Sequence, residues 1–132
     1  MVDSLKGIRV RILHMGCRTN LFESEALGCA FRKAGARTPR EGSFDAAVVV
    51  TCSVTSEADR KCRQSIRRLR RENPGAVIVA AGCWAQWISP GEARELGVDC
   101  LVGNRLKYRI PKIVAEMIEQ GRPPVPPRVE RV

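Results

Sequence analysis

No stretch of this 132-residue sequence approaches the roughly 20 consecutive apolar residues that a membrane-spanning helix needs. Nor does an apolar signal core follow Met1-Val2-Asp3-Ser4-Leu5-Lys6, so the sequence reads as a cytoplasmic protein with no membrane attachment. Six cysteines are present, yet no two stand at CxxC spacing. That absence argues against a thioredoxin-type redox pair and against the usual zinc sites, which include such a pair. Disulfide stapling is disfavoured too, because the spacings are wide and irregular in a chain large enough to bury an ordinary core. No internal repeat is visible. Acidic residues are the minority, 14 against 23 Lys and Arg, which leaves a formal charge of +9. A polyanionic partner, most commonly a nucleic acid, accounts for that excess, and so does an arginine-rich solubilising surface; charge alone does not separate them.

What the sequence does contain is an alternation of short β-branched runs and amphipathic stretches, the pattern of βαβ units on a parallel sheet. Strands are predicted at about 7–14, 37–39 (short and poorly defined), 46–51, 76–81 and 98–102. The run Ala46-Ala47-Val48-Val49-Val50-Thr51 is apolar nearly throughout, as a strand covered on both faces should be. Helices are predicted at about 21–34, stopped by Gly35, at 56–72, at 91–96 and at 106–120, the second opened by a capping box of Ser56 with Asp59. The expected fold is α/β and doubly wound: a flavodoxin-like five-stranded parallel sheet of order 2-1-3-4-5 with helices on both faces. Residues 1–120 form the domain, and 121–132, rich in proline, form an extended linker.

Cys17, Cys52 and Cys83 each follow the carboxyl end of a strand within a few residues. In the 2-1-3-4-5 order those strands are neighbours, and ligands of such sheets sit outside the carboxyl ends. Three thiolates there can serve iron-sulfur ligation, zinc binding or redox exchange. An iron-sulfur cluster with three protein ligands leaves one iron open. Zinc needs a fourth ligand, for which His14 is near in sequence; the ordinary reading of His14 is a strand-end histidine. Cys29, Cys62 and Cys100 fall within predicted helices and a strand, where free cysteine is a common small buried hydrophobe.

On the helix predicted at 56–72, Ala58, Cys62, Ser65, Ile66 and Leu69 share one face and should pack on the sheet. Arg60, Arg63, Arg67, Arg70 and Arg71 form a ridge on the other side. Guanidinium groups spaced along a helix can meet successive phosphates; a solvated charged face is the plainer alternative. Trp84 and Trp87, beside Cys83, suit stacking on a base, shielding of a cluster or simple packing.

The segments Gly16-Cys17-Arg18-Thr19-Asn20, Thr51-Cys52-Ser53-Val54-Thr55 and Gly82-Cys83-Trp84-Ala85-Gln86 together resemble the three cysteine signatures of the N-terminal domain of the methylthiotransferases. Further similarity runs through Glu23-Ser24-Glu25, Glu57-Ala58-Asp59-Arg60-Lys61, Arg63-Gln64, Val98-Asp99 and Val102-Gly103-Asn104. Residues 53–68 look most like the subgroup that modifies threonylcarbamoyladenosine in tRNA, next to the anticodon. The resemblance implies that Cys17, Cys52 and Cys83 ligate an auxiliary 4Fe-4S cluster whose open iron carries the sulfur or methylthio group for the substrate. Asn20 and Gln86 match polar members of the signatures and are expected to line its pocket. Val50 departs from the family pattern, where asparagine is expected.

The resemblance also implies a radical S-adenosylmethionine domain with a second 4Fe-4S cluster, and no Cys-x3-Cys-x2-Cys for it occurs here. That domain is therefore expected in cis or in trans, with tRNA as the shared substrate, and this chain alone is expected to be inactive. The alternative is a noncatalytic zinc- or nucleic-acid-binding α/β module.

Overall fold

The structure is a computed structural model that describes residues 5–15, 18–51, 55–120 and 128–130, with only the backbone for 18–20 and 128. Its centre is a pair of strands, β2 (Ala46–Thr51) and β3 (Val77–Gly82), every residue of which is buried. Strands this uniformly apolar are stable only with both faces covered. β1 (Val10–His14) pairs with β2 on one side, β4 (Cys100–Val102) pairs with β3 on the other, and β5 (Arg128–Glu130) adds beyond β4; all neighbours are parallel.

Alternate residues of the central strands feed two separate cores. Ala46, Val48, Val50, Val79 and Ala81 meet Phe31 of α1 (Arg18–Lys33) and Ile113, Val114 and Met117 of α5 (Ile110–Gln120). Ala47, Val49, Ile78 and Ala80 meet Cys62, Ile66 and Leu69 of α2 (Ser56–Glu72), Trp84 of α3 (Cys83–Trp87) and Leu96 of α4 (Pro90–Leu96). The sheet is thus doubly wound, as the α/β flavodoxin-like reading requires.

Several elements differ in detail from the sequence-based expectation. The strand expected at 37–39 survives as one bridge, Arg9 with Arg37; Pro39 has no N–H to extend a ladder. The strands expected first, third, fourth and fifth are therefore β1 to β4 in unchanged order, and the fifth strand comes instead from the tail expected to be linker. The cap of α2 is Thr55, one residue before the expected capping box: its hydroxyl accepts the Ala58 N–H at 3.1 Å, while Asp59 is engaged elsewhere. The last helix divides into a 3-10 turn (Asn104–Arg109) and α5, because Pro111 cannot donate to the preceding turn. The short α3, directly after β3, had no periodic signal of its own.

Candidate metal centre

The carboxyl ends of β1, β2 and β3 finish level. His14 is register-paired with Val50, and Thr51 with Gly82. Cys52 and Cys83 are the next residues after that last pair, and Cys17 comes three after His14. Cys17 and Cys52 lie outside the described residues, as does the side chain of Asn20. Of the expected cluster-binding set, Cys83 and Gln86 are the two with side chains described.

The turn from β3 into α3 is made by Gly82 at φ 106, ψ −160, a region essentially confined to glycine. A Cβ there would lie 2.4 Å from the Thr51 carbonyl oxygen and 2.7 Å from its Oγ1. Thr51, itself buried, fills the space left by that missing methyl. Its hydroxyl donates to the Ala81 carbonyl at 2.8 Å and accepts the backbone N–H of Trp84 at 3.1 Å. One side chain therefore ties the end of β2 to the end of β3 and caps the first turn of α3, on either side of Cys83.

Cys83, half-buried, is the first residue of α3, and its Sγ accepts a hydrogen bond from Asn104 Nδ2 at 3.3 Å. Gln86, one turn further along α3, turns its Oε1 to the backbone N–H of Asn104 at 3.1 Å. Gln86 thus holds the exit of β4, and the group facing the sulfur is Asn104. Asn104 was missed as a site residue in the sequence: it lies in a quoted segment of similarity, but nothing local shows that β4 returns it to Cys83.

Behind this edge, Trp84 is fully buried and donates Nε1–H to Asp59 Oδ1 at 2.7 Å. Asp59 also receives Arg63 Nε at 2.9 Å, and Arg63 Nη2 reaches Glu92 Oε2 at 2.9 Å, so α2, α3 and α4 are joined through two carboxylates bridged by Arg63. Burial pushes the Asp59 carboxyl up, but the hydrogen bonds from Trp84 and Arg63 outweigh it and hold the group below the ordinary carboxylate range. Trp84 is thus a packing residue, whereas Trp87 is 57% exposed. Leu21, Phe22 and Tyr108, in the segments that follow β1 and β4, are exposed as well.

The three remaining cysteines divide. Cys62 and Cys100 are buried, as expected, and burial followed by the nearby Asp59 charge pushes the Cys62 thiol up to about 12. Cys29 is exposed on α1, contrary to the expectation of a buried hydrophobe, because it falls on the helix face turned from the sheet. His14 is an exposed strand-end residue, as read from the sequence.

The arginine ridge also divides. Arg70 donates to the carbonyls of Pro74, Ala76 and Gly97 at 2.9, 2.7 and 2.5 Å and to Asp99 Oδ2 at 2.7 Å, so it fastens loops together. Arg63 is held by Asp59 and Glu92. Arg60, Arg67 and Arg71 are exposed and fall at i, i+7 and i+11, a single stripe about 17 Å long at 1.5 Å per residue.

A family described as "Uncharacterized protein family UPF0004" matches residues 9–103, which span β1 to β4 and all three cysteine segments. The chain belongs to the UPF0004 family. Among relatives of this UPF0004 chain, the threonylcarbamoyladenosine tRNA methylthiotransferase MtaB of Bacillus subtilis is 39% identical over 111 residues, 83% of this chain and 24% of that protein. MtaB of Thermotoga maritima is 38% identical over 101 residues, 76% and 23% of the two chains. The tRNA-2-methylthio-N(6)-dimethylallyladenosine synthase of Thiobacillus denitrificans is 30% identical over 120 residues, 86% and 27%. The chain therefore spans about a quarter of the length of the curated relatives it matches.

Among the described residues, no group of three or more His, Cys, Asp or Glu stands ready to hold a metal, and two of the three candidate ligands lie outside that set. The described part of the edge suits a thiolate ligand of a cluster. The Cys83 sulfur is partly screened from solvent and receives a neutral amide donor, the kind of contact that tunes cluster sulfurs. No described helix is long and apolar enough to cross a membrane.

Proposed function

We propose that this chain is the cluster-holding, sulfur-donating domain of a tRNA methylthiotransferase, with Cys17, Cys52 and Cys83 as ligands of an auxiliary 4Fe-4S cluster. The observation that carries the reading is the level finish of β1, β2 and β3, each of which runs into one of these cysteines within three residues. Parallel neighbours lie about 4.8 Å apart, so three consecutive strand ends are within reach of one inorganic centre. Bound there, a cluster with three protein ligands supplies one open iron to an exogenous sulfur ligand.

The chain's own residues do the positioning. Thr51 and Gly82 lock the backbone on which Cys52 and Cys83 begin, and the Trp84–Asp59–Arg63 hydrogen bonds fix α3 against α2. Arg60, Arg67 and Arg71 present a stripe suited to an RNA backbone, a contact that supplies affinity rather than base reading. The higher identity to relatives named for threonylcarbamoyladenosine, 34–42% in five of them against 30–32% for two named for dimethylallyladenosine, favours that nucleoside, next to the anticodon, as substrate. A radical S-adenosylmethionine domain, in cis or in trans, would activate its carbon, and the complete protein would act in the cytoplasm.

Anaerobic reconstitution with iron and sulfide tests the reading. About four irons per chain, with broad visible absorption, are expected, as is their loss on replacing any one of Cys17, Cys52 or Cys83 by Ala. Uptake of zinc in place of iron, or iron binding indifferent to those replacements, would show a different metal module.

A further inference from the structure

Asn104 sits at the exit of β4, on the far side of β3 from Thr51 at the end of β2, and is held from two directions. Its backbone N–H is taken by Gln86 Oε1 at 3.1 Å, and the preceding Gly103 N–H donates to the Glu130 carbonyl of β5 at 2.8 Å. With its backbone pinned, the side-chain carboxamide turns one N–H onto Cys83 Sγ at 3.3 Å. Cys83 and Gln86 lie three apart on α3 and so share a face, and residue 104 donates to both of them, a two-point contact with α3. A neutral thiol is a weak acceptor and gains little from such a donor. A thiolate, or the sulfur of a metal ligand, gains considerably more.

We propose that Asn104 is a positioning residue of the cluster edge, orienting the Cys83 sulfur and drawing electron density from it so that a cluster bound there is easier to reduce. The proposal rests on the cluster reading above. The added electron of a reduced cluster is shared with its sulfurs, so a donated N–H stabilises the reduced state more than the oxidised one and raises the potential. Asn104 acts through the Cys83 sulfur, with no contact to iron or substrate needed. Its neighbour Gln86 acts one step further back, by holding the Asn104 backbone.

The test is an equilibrium redox titration of the anaerobically reconstituted 132-residue chain, followed by visible bleaching, with iron per chain measured on the same samples. Asn104→Leu keeps similar size without the donor, and Asn104→Asp replaces the donor with a carboxylate. Both side chains are partly in solvent, so the fold should persist, and circular dichroism checks it. The expected result is native circular dichroism with a midpoint moved to more negative potential in both variants, further in the Asp variant. Loss of iron from a natively folded Asn104→Leu would also support the role, since the sulfur then fails to stay on its metal. An unchanged midpoint with unchanged iron in Asn104→Leu would overturn the proposal while leaving the cluster reading intact. A wild-type chain that takes up no iron would overturn both.

Discussion

Gly82 and Thr51 occupy one small volume between them, and each is needed for the other's conformation. Gly82→Ala places a methyl 2.4 Å from the Thr51 carbonyl oxygen on a backbone at φ 106. The strain and the clash together should lower stability by about 2–4 kcal/mol, measured as the shift in a urea unfolding curve. Thr51→Val keeps the shape but strands the Trp84 N–H and removes the donor to Ala81, a loss of about 1–3 kcal/mol in the same assay. An effect below a few tenths of a kcal/mol in either variant would mean that the two strand ends are not fastened as described. The sequence showed where β1, β2 and β3 end, within three residues of Cys17, Cys52 and Cys83 along the chain, since that needs only local patterning. It did not show the Thr51 clasp or the Asn104 contact, because each joins residues more than 20 apart and leaves no periodic trace.

At the scale of elements, α2 shows both what a helical wheel reveals and what it hides. The wheel placed Cys62, Ile66 and Leu69 on the buried face correctly, because burial against a sheet follows the 3.6-residue period. It grouped Arg70 with Arg67, although the partners of Arg70 come from residues 74–76 and 97–99, outside the helix. The two kinds of arginine should part experimentally. Reversing Arg60, Arg67 and Arg71 to Glu should leave the unfolding midpoint nearly unchanged and weaken tRNA binding by the complete enzyme. If the three meet phosphates, the dependence of log affinity on log salt should flatten by about 2–3. Arg70→Ala should instead destabilise the fold by about 3 kcal/mol or more, because Asp99 is left buried without its cation. Unaltered tRNA affinity in the triple variant would remove the stripe from the proposed interface.

Across the whole molecule, the strand order from β1 to β4 followed from the alternation of apolar runs and helices, whereas β5 did not. Arg128–Glu130 follows a proline-rich stretch that carries no strand pattern, and it pairs with β4 at the edge of the sheet. A graded stability results. Amides of β2 and β3, enclosed by two cores, should exchange with deuterium only on global unfolding. Val129→Pro should unpair β5 and bring the Gly103 amide, which donates to Glu130, to the exchange rate of an open loop, with β2 and β3 still protected. Equal exchange at Gly103 in both proteins would show that the edge strand contributes nothing there.

The missing methyl at position 82 also guards alignment. Most β-strands reject a one-residue slip because it would turn apolar side chains to water, but β3, reading Val-Ile-Val-Ala-Ala-Gly, is apolar on both sides and offers no such penalty. A slip in either direction would ask Ala81 or Cys83, each with a Cβ, to make the turn beside Thr51 at the positive φ that Gly82 adopts. The spacing between the second and third cysteines is thus proofread by a residue whose single qualification is the atom it lacks.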